Sequence, residues 1–355
     1  MDVPLYFKDF LEGIRLTPSQ IEDLMTGHQT LRERLESYED LSDIIVTTFL
    51  QGSYRRGTAT RPKDDSRSDV DIIVVTNLDH TENLPITVFK KFIPFLDTYY
   101  KDKYRLQGKS IGIKLSYVDL DIVPTSAPSE SQMQLLKNNK IISSNFSIED
   151  NSDMNTFFSR TASSNTQWER DPLQIPDNNV QRWERTHPLM QIKWTQEKNN
   201  RCNQHYINVV KALKWWRKEK YPETKQPKSY PLEHFIGQCC PDGIKSVAEG
   251  VAKSLQTIVN IYRTKPYLKD HGVPEHNVFA KLTDEEYNIF YEQVKVASTT
   301  AKEAYESQDI NYSVQKWREL FGNKFPEPPK KNSSGTDGFS KRESNSEDIP
   351  EGRFA

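Results

Sequence analysis

Residues 69–75 read DVDIIVV, so two aspartates open a run of β-branched apolar residues. Side chains two positions apart in a β-strand point to the same face, which puts Asp69 and Asp71 on one face and Val70 and Ile72 on the other. Burying two unpaired carboxylates would cost several kcal/mol each. The segment is therefore compatible with a buried strand only if its acidic face opens to solvent or binds a cation.

A third carboxylate lies in residues 119–122, DLDI, at either Asp119 or Asp121. Asp121 is favoured, because apolar residues flank it on both sides as they flank Asp71. Carboxylate oxygens are the ligands that Mg²⁺ prefers. Together Asp69, Asp71 and Asp121 could hold two Mg²⁺ ions, or Mn²⁺, about 3.5–4 Å apart, the arrangement that stabilises the attacking and leaving oxygens of a phosphoryl transfer.

A candidate anion-binding turn precedes the aspartates at Gln51, Gly52 and Ser53. It follows residues 44–50, IIVTTFL, whose β-branched composition predicts a buried strand. Glycine lets the backbone approach a ligand closely, and a helix that starts at Ser53 would direct its free N–H groups and its hydroxyl at an anion. The turn suits the β- and γ-phosphates of a nucleoside triphosphate. Four basic residues nearby keep the local potential positive: Arg55, Arg56, Arg61 and Lys63.

The N-terminal half predicts a mixture of helices and strands. Thr17 is a suitable N-cap for a helix over 17–41, and Gln20 completes a capping box. Residues 125–185 are rich in Ser, Asn, Asp and Pro, and part of them is predicted to be irregular surface. The other predicted elements are a second strand at 69–75, a helix at 85–99 and, at 110–123, either one strand or two strands joined by a tight turn.

The C-terminal half predicts helices. From residue 188 apolar residues recur every three or four positions, and further helical stretches are predicted over 231–262 and 283–305. Residues 326–355 have too little apolar surface to offset the entropy cost of ordering, and they predict a disordered tail. The fold class is therefore α+β, divided into residues 1–185, residues 186–325 and the tail.

Composition excludes several classes of protein. A chain of 355 residues exceeds one simple core and suits two domains. Its formal net charge of −2 gives no bulk attraction to nucleic acid. With no apolar run of about 18 residues and no N-terminal h-region, neither a membrane span nor a signal peptide is expected. Cys202, Cys239 and Cys240 form no CxxC pair, which fits a reducing cytoplasm without disulfides or a zinc site.

The segments QGSYRRGTAT, SDVDIIVV and LDIVPT together resemble the polymerase-β-like nucleotidyltransferases, specifically the bacterial cGAS/DncV-like group, the CD-NTases. The similarity extends over THPLMQIKW, HYINVVKALKWW, SYPLEHFIG and the terminal GRFA, and it is greatest to clade D. It implies a bilobed molecule in which a nucleotidyltransferase core, residues 1–185, packs against a helical substrate-binding domain, residues 186–325, around a central cleft. The metal-binding and triphosphate-binding residues that it implies are Asp69, Asp71, Asp121, Gly52 and Ser53.

The resemblance also implies nucleotide contacts from the helical domain. In the family a Lys and a Ser bind the donor triphosphate and a following Tyr stacks on the base, and the matching positions are Lys214, Ser229 and Tyr230. Two of these have plainer interpretations from the sequence alone. Lys214 could belong to a solvated stripe with Lys211 and Lys218, and Tyr230 could pack in the core.

The function that the resemblance implies is the synthesis of a cyclic oligonucleotide second messenger. The product would be an adenosine-rich cyclic trinucleotide, made from ATP with or without GTP by two-metal nucleotidyl transfer, and it would act on an effector protein in anti-phage (CBASS) defence. The chain lacks the zinc-binding insertion of the animal members, so specific binding of duplex DNA is not expected. Stable membrane association is not expected either, since the chain has no long apolar run. The terminal EGRFA is a candidate substrate for a ubiquitin-transfer-like enzyme that conjugates the carboxylate of Ala355.

Other functions stay open at this level. The same strand and turn pattern occurs in linear oligoadenylate synthetases and in nucleotidyltransferase toxins that modify RNA or protein. A non-catalytic nucleotide-binding scaffold is a further alternative, although a pure binder has no need of three convergent acids.

Overall fold

The computed structural model describes residues 1–63, 66–127, 133–134 and 172–328. The predicted tail beyond residue 328 lies outside the described residues, as does most of the predicted irregular surface before residue 172. Within the described residues the chain forms a sheet with flanking helices and a separate bundle of helices, and a cleft lies between the two.

The sheet is mixed and has seven strands in the described part of the chain. They are β1 (Ile45–Gln51), β2 (Asp69–Thr76), β3 (Tyr104–Leu106), β4 (Ile111–Lys114), β5 (Asp119–Ser126), β6 (Leu173–Asp177) and β7 (Arg182–Thr186). The main order is β1-β2-β5-β4-β3, with β6 paired to β5 and β7 to β6. β2 and β5 are parallel, and their register sets Asp69 beside Asp119 and Asp71 beside Asp121.

Helices cover the sheet and build the second lobe. They are α1 (Pro4–Ile14), α2 (Pro18–Ser37), α3 (Glu39–Ser42), α4 (Gly52–Arg55), α5 (Pro85–Lys91), α6 (Ile93–Tyr99), α7 (Pro188–Arg201), α8 (Tyr206–Lys220), α9 (Ser229–Cys239), α10 (Val247–Ile261), α11 (Asp284–Glu306) and α12 (Ile310–Phe321). The predicted capping box begins α2: Gln20 N donates to Thr17 Oγ1 at 3.2 Å, and Thr17 N donates to Gln20 Oε1 at 3.0 Å.

Both faces of β2 are apolar after the aspartates. Val70 and Ile72 are inaccessible to solvent and pack in the core beneath the sheet, as the alternation predicts. On the other face, Ile73 packs with Leu189 and Ile192 of α7. Apolar packing therefore covers the acidic face only beyond Asp71, and the two carboxylates stay at the open end of the strand.

Two predicted helices are interrupted in the structure. The helix predicted at 85–99 divides at Phe92 into α5 and α6, because Pro94 has no N–H to continue the hydrogen-bond ladder. The helical stretch predicted at 231–262 divides into α9 and α10, since Pro241 and Gly243, with a φ of 76°, lie between them.

The strand predictions also needed changes. Residues 110–123 form the two strands β4 and β5, which settles the alternative left open by the sequence. The end of the segment predicted as partly irregular contains the antiparallel pair β6 and β7. Pro176 interrupts the strand pattern of β6, and β7 is largely polar, so neither shows the usual signal of a strand.

α1, which the sequence analysis did not predict, belongs to the helical core rather than to the sheet. Phe7 lies edge-on to Trp317 with ring centroids 5.0 Å apart, and Phe10 stacks on Phe321 at 4.6 Å. The first and last helices of the described chain therefore share one core. The division at residues 185 and 186 stays a prediction.

Cys202, Cys239 and Cys240 are buried and carry free thiols. In the part of the chain that the structure describes, none of the helices is long and apolar enough to cross a membrane.

Replacing Phe10 with alanine should destabilise the helical lobe strongly. Phe10 is 0% exposed, and loss of a buried aromatic side chain typically costs about 3–5 kcal/mol of unfolding free energy. Urea unfolding followed by tryptophan fluorescence would measure the change. Leu5→Ala on the same helix is the control, since Leu5 is 73% exposed and should change stability by less than about 0.5 kcal/mol. Equal stability of the two variants would contradict this packing of α1.

Candidate active site

A cavity of about 940 Å³ lies between the sheet and the helical bundle. Asp121 does not line it, but lies beside Asp71 in the neighbouring strand. The other predicted site residues line its walls: Gln51, Gly52, Ser53, Asp69 and Asp71 from the sheet lobe, and Lys214, Ser229 and Tyr230 from the helical lobe.

Asp71 lies where negative charge is concentrated. Burial, together with the carboxylates of Asp69 and Asp121, raises the pKa of Asp71 to about 7, against the opposing effect of the Arg56 guanidinium. Burial and Asp69 also raise the pKa of Asp121. Like charges disfavour ionisation and a cation favours it. This end of the sheet is therefore suited to bind a divalent cation through carboxylate oxygens.

The carboxylate oxygens do not form a ready coordination shell. Asp121 Oδ1 accepts hydrogen bonds from Gln107 Nε2 at 3.2 Å and from Ser110 Oγ at 3.3 Å. Among the residues that the structure describes, no three His, Cys, Asp or Glu side chains are arranged to hold one metal ion. The donor chemistry fits a divalent ion, but binding would require the side chains of Asp69, Asp71 and Asp121 to draw closer together.

Asp119, the alternative third carboxylate, already has a cationic partner. Its Oδ1 accepts a hydrogen bond from Arg67 Nε at 3.0 Å at the rim of the cleft. Asp121, in contrast, accepts hydrogen bonds from the neutral groups of Gln107 and Ser110. This difference favours Asp121 over Asp119 as the third metal ligand.

The turn after β1 packs its backbone directly on Asp71. Gly52 has a φ of 77°, in the left-handed region that glycine adopts readily. A Cβ atom at position 52 would lie 1.8 Å from Asp71 Oδ2. The helix that the sequence places at Ser53 begins one residue earlier and is a single turn long. Position 52 therefore requires glycine both for its backbone angle and for its contact with the carboxylate.

Lys214 is held at the boundary between the two lobes. Its Nζ donates to the carbonyl oxygen of Thr58 at 2.9 Å, and burial lowers the pKa of Lys214 to about 8. Lys211 is buried, and Lys218 Nζ donates to the carbonyl oxygen of Arg61 at 3.2 Å. The interpretation of these lysines as a solvated stripe is therefore wrong, because α8 faces the sheet lobe.

Tyr230 is oriented by two polar partners. Its hydroxyl donates to Asp270 Oδ2 at 2.8 Å, and the guanidinium of Arg56 lies 5.1 Å from its ring centroid. The ring is half-buried and lines the cavity, so it is not a plain core residue. Ser229, next to it, is exposed. Base stacking by Tyr230 stays a prediction.

An ion pair that the sequence analysis missed joins the two lobes beside the cleft. Arg56 Nε donates to Glu233 Oε1 at 2.7 Å, and both side chains are buried. Burial raises the pKa of Glu233, but the charges of Arg56 and Lys214 outweigh it, so this pKa lies below its usual value. Removing one member of a buried ion pair typically costs about 3–5 kcal/mol. No sequence signal marks this pair, because its members are 177 residues apart.

Replacing Gly52 with alanine should weaken nucleotide binding. The added Cβ would collide with Asp71 Oδ2, and alanine is strained at this φ. We expect the affinity for ATP, measured by titration calorimetry, to fall at least about tenfold. Gly243→Ala is the matched control, since Gly243 has a φ of 76° and no atom within 4 Å of the new Cβ. Equal affinities of the two variants would contradict the role of Gly52.

Known proteins provide an independent comparison. Residues 1–143 match the family model of the Second Messenger Oligonucleotide or Dinucleotide Synthetase domain. Over the whole length of both chains, the protein is 43% identical to a cyclic AMP-AMP-GMP synthase from Enterobacter hormaechei subsp. hoffmannii (strain UCI 50). It is 29% identical to a cyclic AMP-AMP-AMP synthase from Acinetobacter sp. (strain ATCC 27244 / 9458), over 90% of this chain and 84% of that protein.

The fold is shared with solved structures of this group. The structure of CdnC from E. coli MS115-1 with ATP superposes on 92% of this chain and 100% of that chain, with a TM-score of 0.65 and 16% sequence identity. The match confirms the predicted α+β class, with a nucleotidyltransferase core packed against a helical lobe. The chain is a nucleotidyltransferase and belongs to the CD-NTase family of second-messenger oligonucleotide or dinucleotide synthetases.

Proposed function

We propose that this chain makes a cyclic trinucleotide from ATP and GTP. The observation that carries the proposal is the meeting, in one cleft, of the acidic end of β2 with the turn at Gly52 and Ser53 and with Lys214 and Tyr230. The relatives support the product, since they are a cyclic AMP-AMP-GMP synthase and a cyclic AMP-AMP-AMP synthase. The higher identity to the former favours a ring that contains guanosine as well as adenosine.

Each lobe would bind a different part of the donor nucleotide. The backbone N–H groups at Gly52 and Ser53, with the Ser53 hydroxyl, would bind the β- and γ-phosphates. Lys214 would bind the same triphosphate from the opposite wall, with Ser229 beside it. Tyr230 would stack on the donor base. Stacking on an aromatic ring stabilises any base, because every base has a planar face.

Asp69, Asp71 and Asp121 would hold two Mg²⁺ ions, with Mn²⁺ as an alternative, beside Gln51, which pairs with Asp71 across β1 and β2. When bound, two such ions stabilise the attacking and leaving oxygens of a phosphoryl transfer. A ribose hydroxyl oxygen of the acceptor bonds to the donor α-phosphorus, and the bond from that phosphorus to the pyrophosphate oxygen breaks. The Asp121 carboxylate accepts the hydroxyl proton, and repetition followed by ring closure gives the cyclic product.

The cyclic product would link the enzyme to its effector protein without a direct contact between them. We place the chain in CBASS anti-phage signalling, as a cytoplasmic enzyme that draws on the ATP and GTP pools. In this role the substrates are small molecules, and the specificity of the response depends on which bases enter the ring.

Incubation of the protein with Mg²⁺ and all four nucleoside triphosphates should yield a phosphatase-resistant ring of two AMP units and one GMP unit, identified by mass spectrometry. A phosphatase-sensitive product would indicate a linear oligoadenylate synthetase. A labelled RNA or protein would indicate a modifying toxin, and tight nucleotide binding without product would indicate a scaffold.

The same assay tests the carboxylates. Asp69→Asn combined with Asp71→Asn should lower product formation at least about a hundredfold, because charge stabilisation at the reacting phosphate is lost. Asp40→Asn, at an exposed position, should leave it unchanged. EDTA should stop the reaction, and added Mg²⁺ should restore it. Product formed by the double variant at the wild-type rate would rule out the metal assignment.

We also propose that Ala355, which lies outside the described residues, is conjugated to targets by a ubiquitin-transfer-like enzyme. Deletion of residues 352–355 should leave nucleotide synthesis unchanged and abolish conjugation, which a shift in denaturing electrophoresis would reveal. Equal conjugation of the full and shortened chains would refute this role.

A further inference from the structure

Glu233 lies at the contact between the lobes, on α9, one turn after Tyr230. It is 2% exposed. Its Oε1 accepts a hydrogen bond from Arg56 Nε at 2.7 Å, and its Oε2 accepts from Thr58 Oγ1 at 2.7 Å and from Arg56 Nη2 at 3.5 Å. A carboxylate with these charge-assisted bonds has a fixed orientation. Glu233 therefore anchors two residues of the sheet lobe from a helix of the other lobe.

Thr58 connects Glu233 to both walls of the cleft. The N–H of Thr58 donates to the carbonyl oxygen of Ser53 at 2.9 Å, within the proposed triphosphate turn. The carbonyl oxygen of Thr58 accepts from Lys214 Nζ at 2.9 Å. Ser53 and Lys214, which belong to different lobes, are thus bonded to the same residue, and the side chain of that residue is held by Glu233.

Arg56 forms a second connection. Its backbone N–H donates to the carbonyl oxygen of Gly52 at 3.1 Å, and its guanidinium lies 5.1 Å from the ring centroid of Tyr230. The side chain of Arg56 is therefore fixed by Glu233 at one point and packs on the proposed base-stacking ring at another. Loss of the Glu233 charge would release it from this position.

We propose that Glu233 is a positioning residue for the donor nucleotide, which holds the triphosphate turn and the Lys214 ammonium in register through Arg56 and Thr58. This inference rests on the proposed binding of a nucleoside triphosphate in the cleft. Glu233 would touch no substrate, yet it would set the separation between two groups that bind the same triphosphate from opposite sides.

The charges that face Lys214 predict how the affinity for a triphosphate should depend on pH. Burial and the positive charges of Arg56 and Lys218 lower the pKa of Lys214, whereas Glu233 and Asp69 raise it, and the result is about 8. The ammonium loses its proton as the pH rises through this value, so the affinity for a triphosphate should fall there. Without the negative charge of Glu233, the pKa of Lys214 should be lower and the fall should begin at a lower pH.

The variant Glu233→Gln tests this directly, with ATP binding measured by titration calorimetry from about pH 7 to about pH 9.5. We expect binding about tenfold weaker near neutral pH, and a fall of affinity that begins at a lower pH than in the wild-type protein. Glu292→Gln is the control, since it removes an exposed carboxylate that pairs with Lys295 on α11 at 2.8 Å. It should leave the affinity and its pH dependence unchanged.

A folded Glu233→Gln protein with wild-type affinity and an unchanged pH dependence would overturn the proposal. If that variant does not fold, Thr58→Val and Thr58→Ser decide the question, because only serine keeps the hydroxyl that binds Glu233. Thr58→Val should weaken ATP binding about threefold relative to Thr58→Ser, and equal affinities would overturn the proposal. A wild-type protein that binds ATP but makes no cyclic product would refute the proposed function and leave this inference standing.

Discussion

The parallel pairing of β2 with β5 determines where the chemistry of this molecule lies. Its register sets Asp71 beside Asp121 at one end of the sheet, while the later residues of both strands are buried. These carboxylates repel one another. This end of the sheet opens to the cleft, where solvent or a cation can reach Asp69 and Asp71. Burial and the repulsion from Asp69 and Asp121 raise the pKa of Asp71, and a cation bound there would favour its ionised form. The carboxylates that are costly to bury are therefore the groups that could bind a cation at this end of the sheet.

The ion pair between Arg56 and Glu233 joins the two lobes in a fixed geometry. Apolar contacts also join the lobes where Ile73 packs with Leu189 and Ile192 of α7, and beside the cleft Arg56 and Glu233 meet in surroundings shielded from water. A buried ion pair loses its stabilisation when its members separate. The walls of the cleft are consequently held at a defined distance, which suits the proposed binding of one triphosphate from both sides.

The sequence revealed those parts of the site whose chemistry is local. Asp69 and Asp71 follow the period of a strand, and Gly52 ends the strand before them, so pattern alone could relate them. Glu233 could not be found in this way, because its role depends on a partner that the fold brings from the far end of the chain. Pro241 and Gly243 are sequence signals for the break between α9 and α10, although apolar residues recur on both sides of it. α1 carries the same periodicity from Phe7 to Ile14 and could have been predicted.

The packing of α1 against α12 makes the helical lobe discontinuous in the chain. During synthesis α1 leaves the ribosome first. The apolar face of α1 stays uncovered until α12, near the end of the described chain, has been synthesised. Domains generally fold as they emerge, with N-terminal ones first, so the sheet lobe can form while the helical lobe is still incomplete. We expect the wall that carries Lys214 to become rigid only after synthesis has passed Phe321. A prematurely terminated chain would then lack a finished cleft.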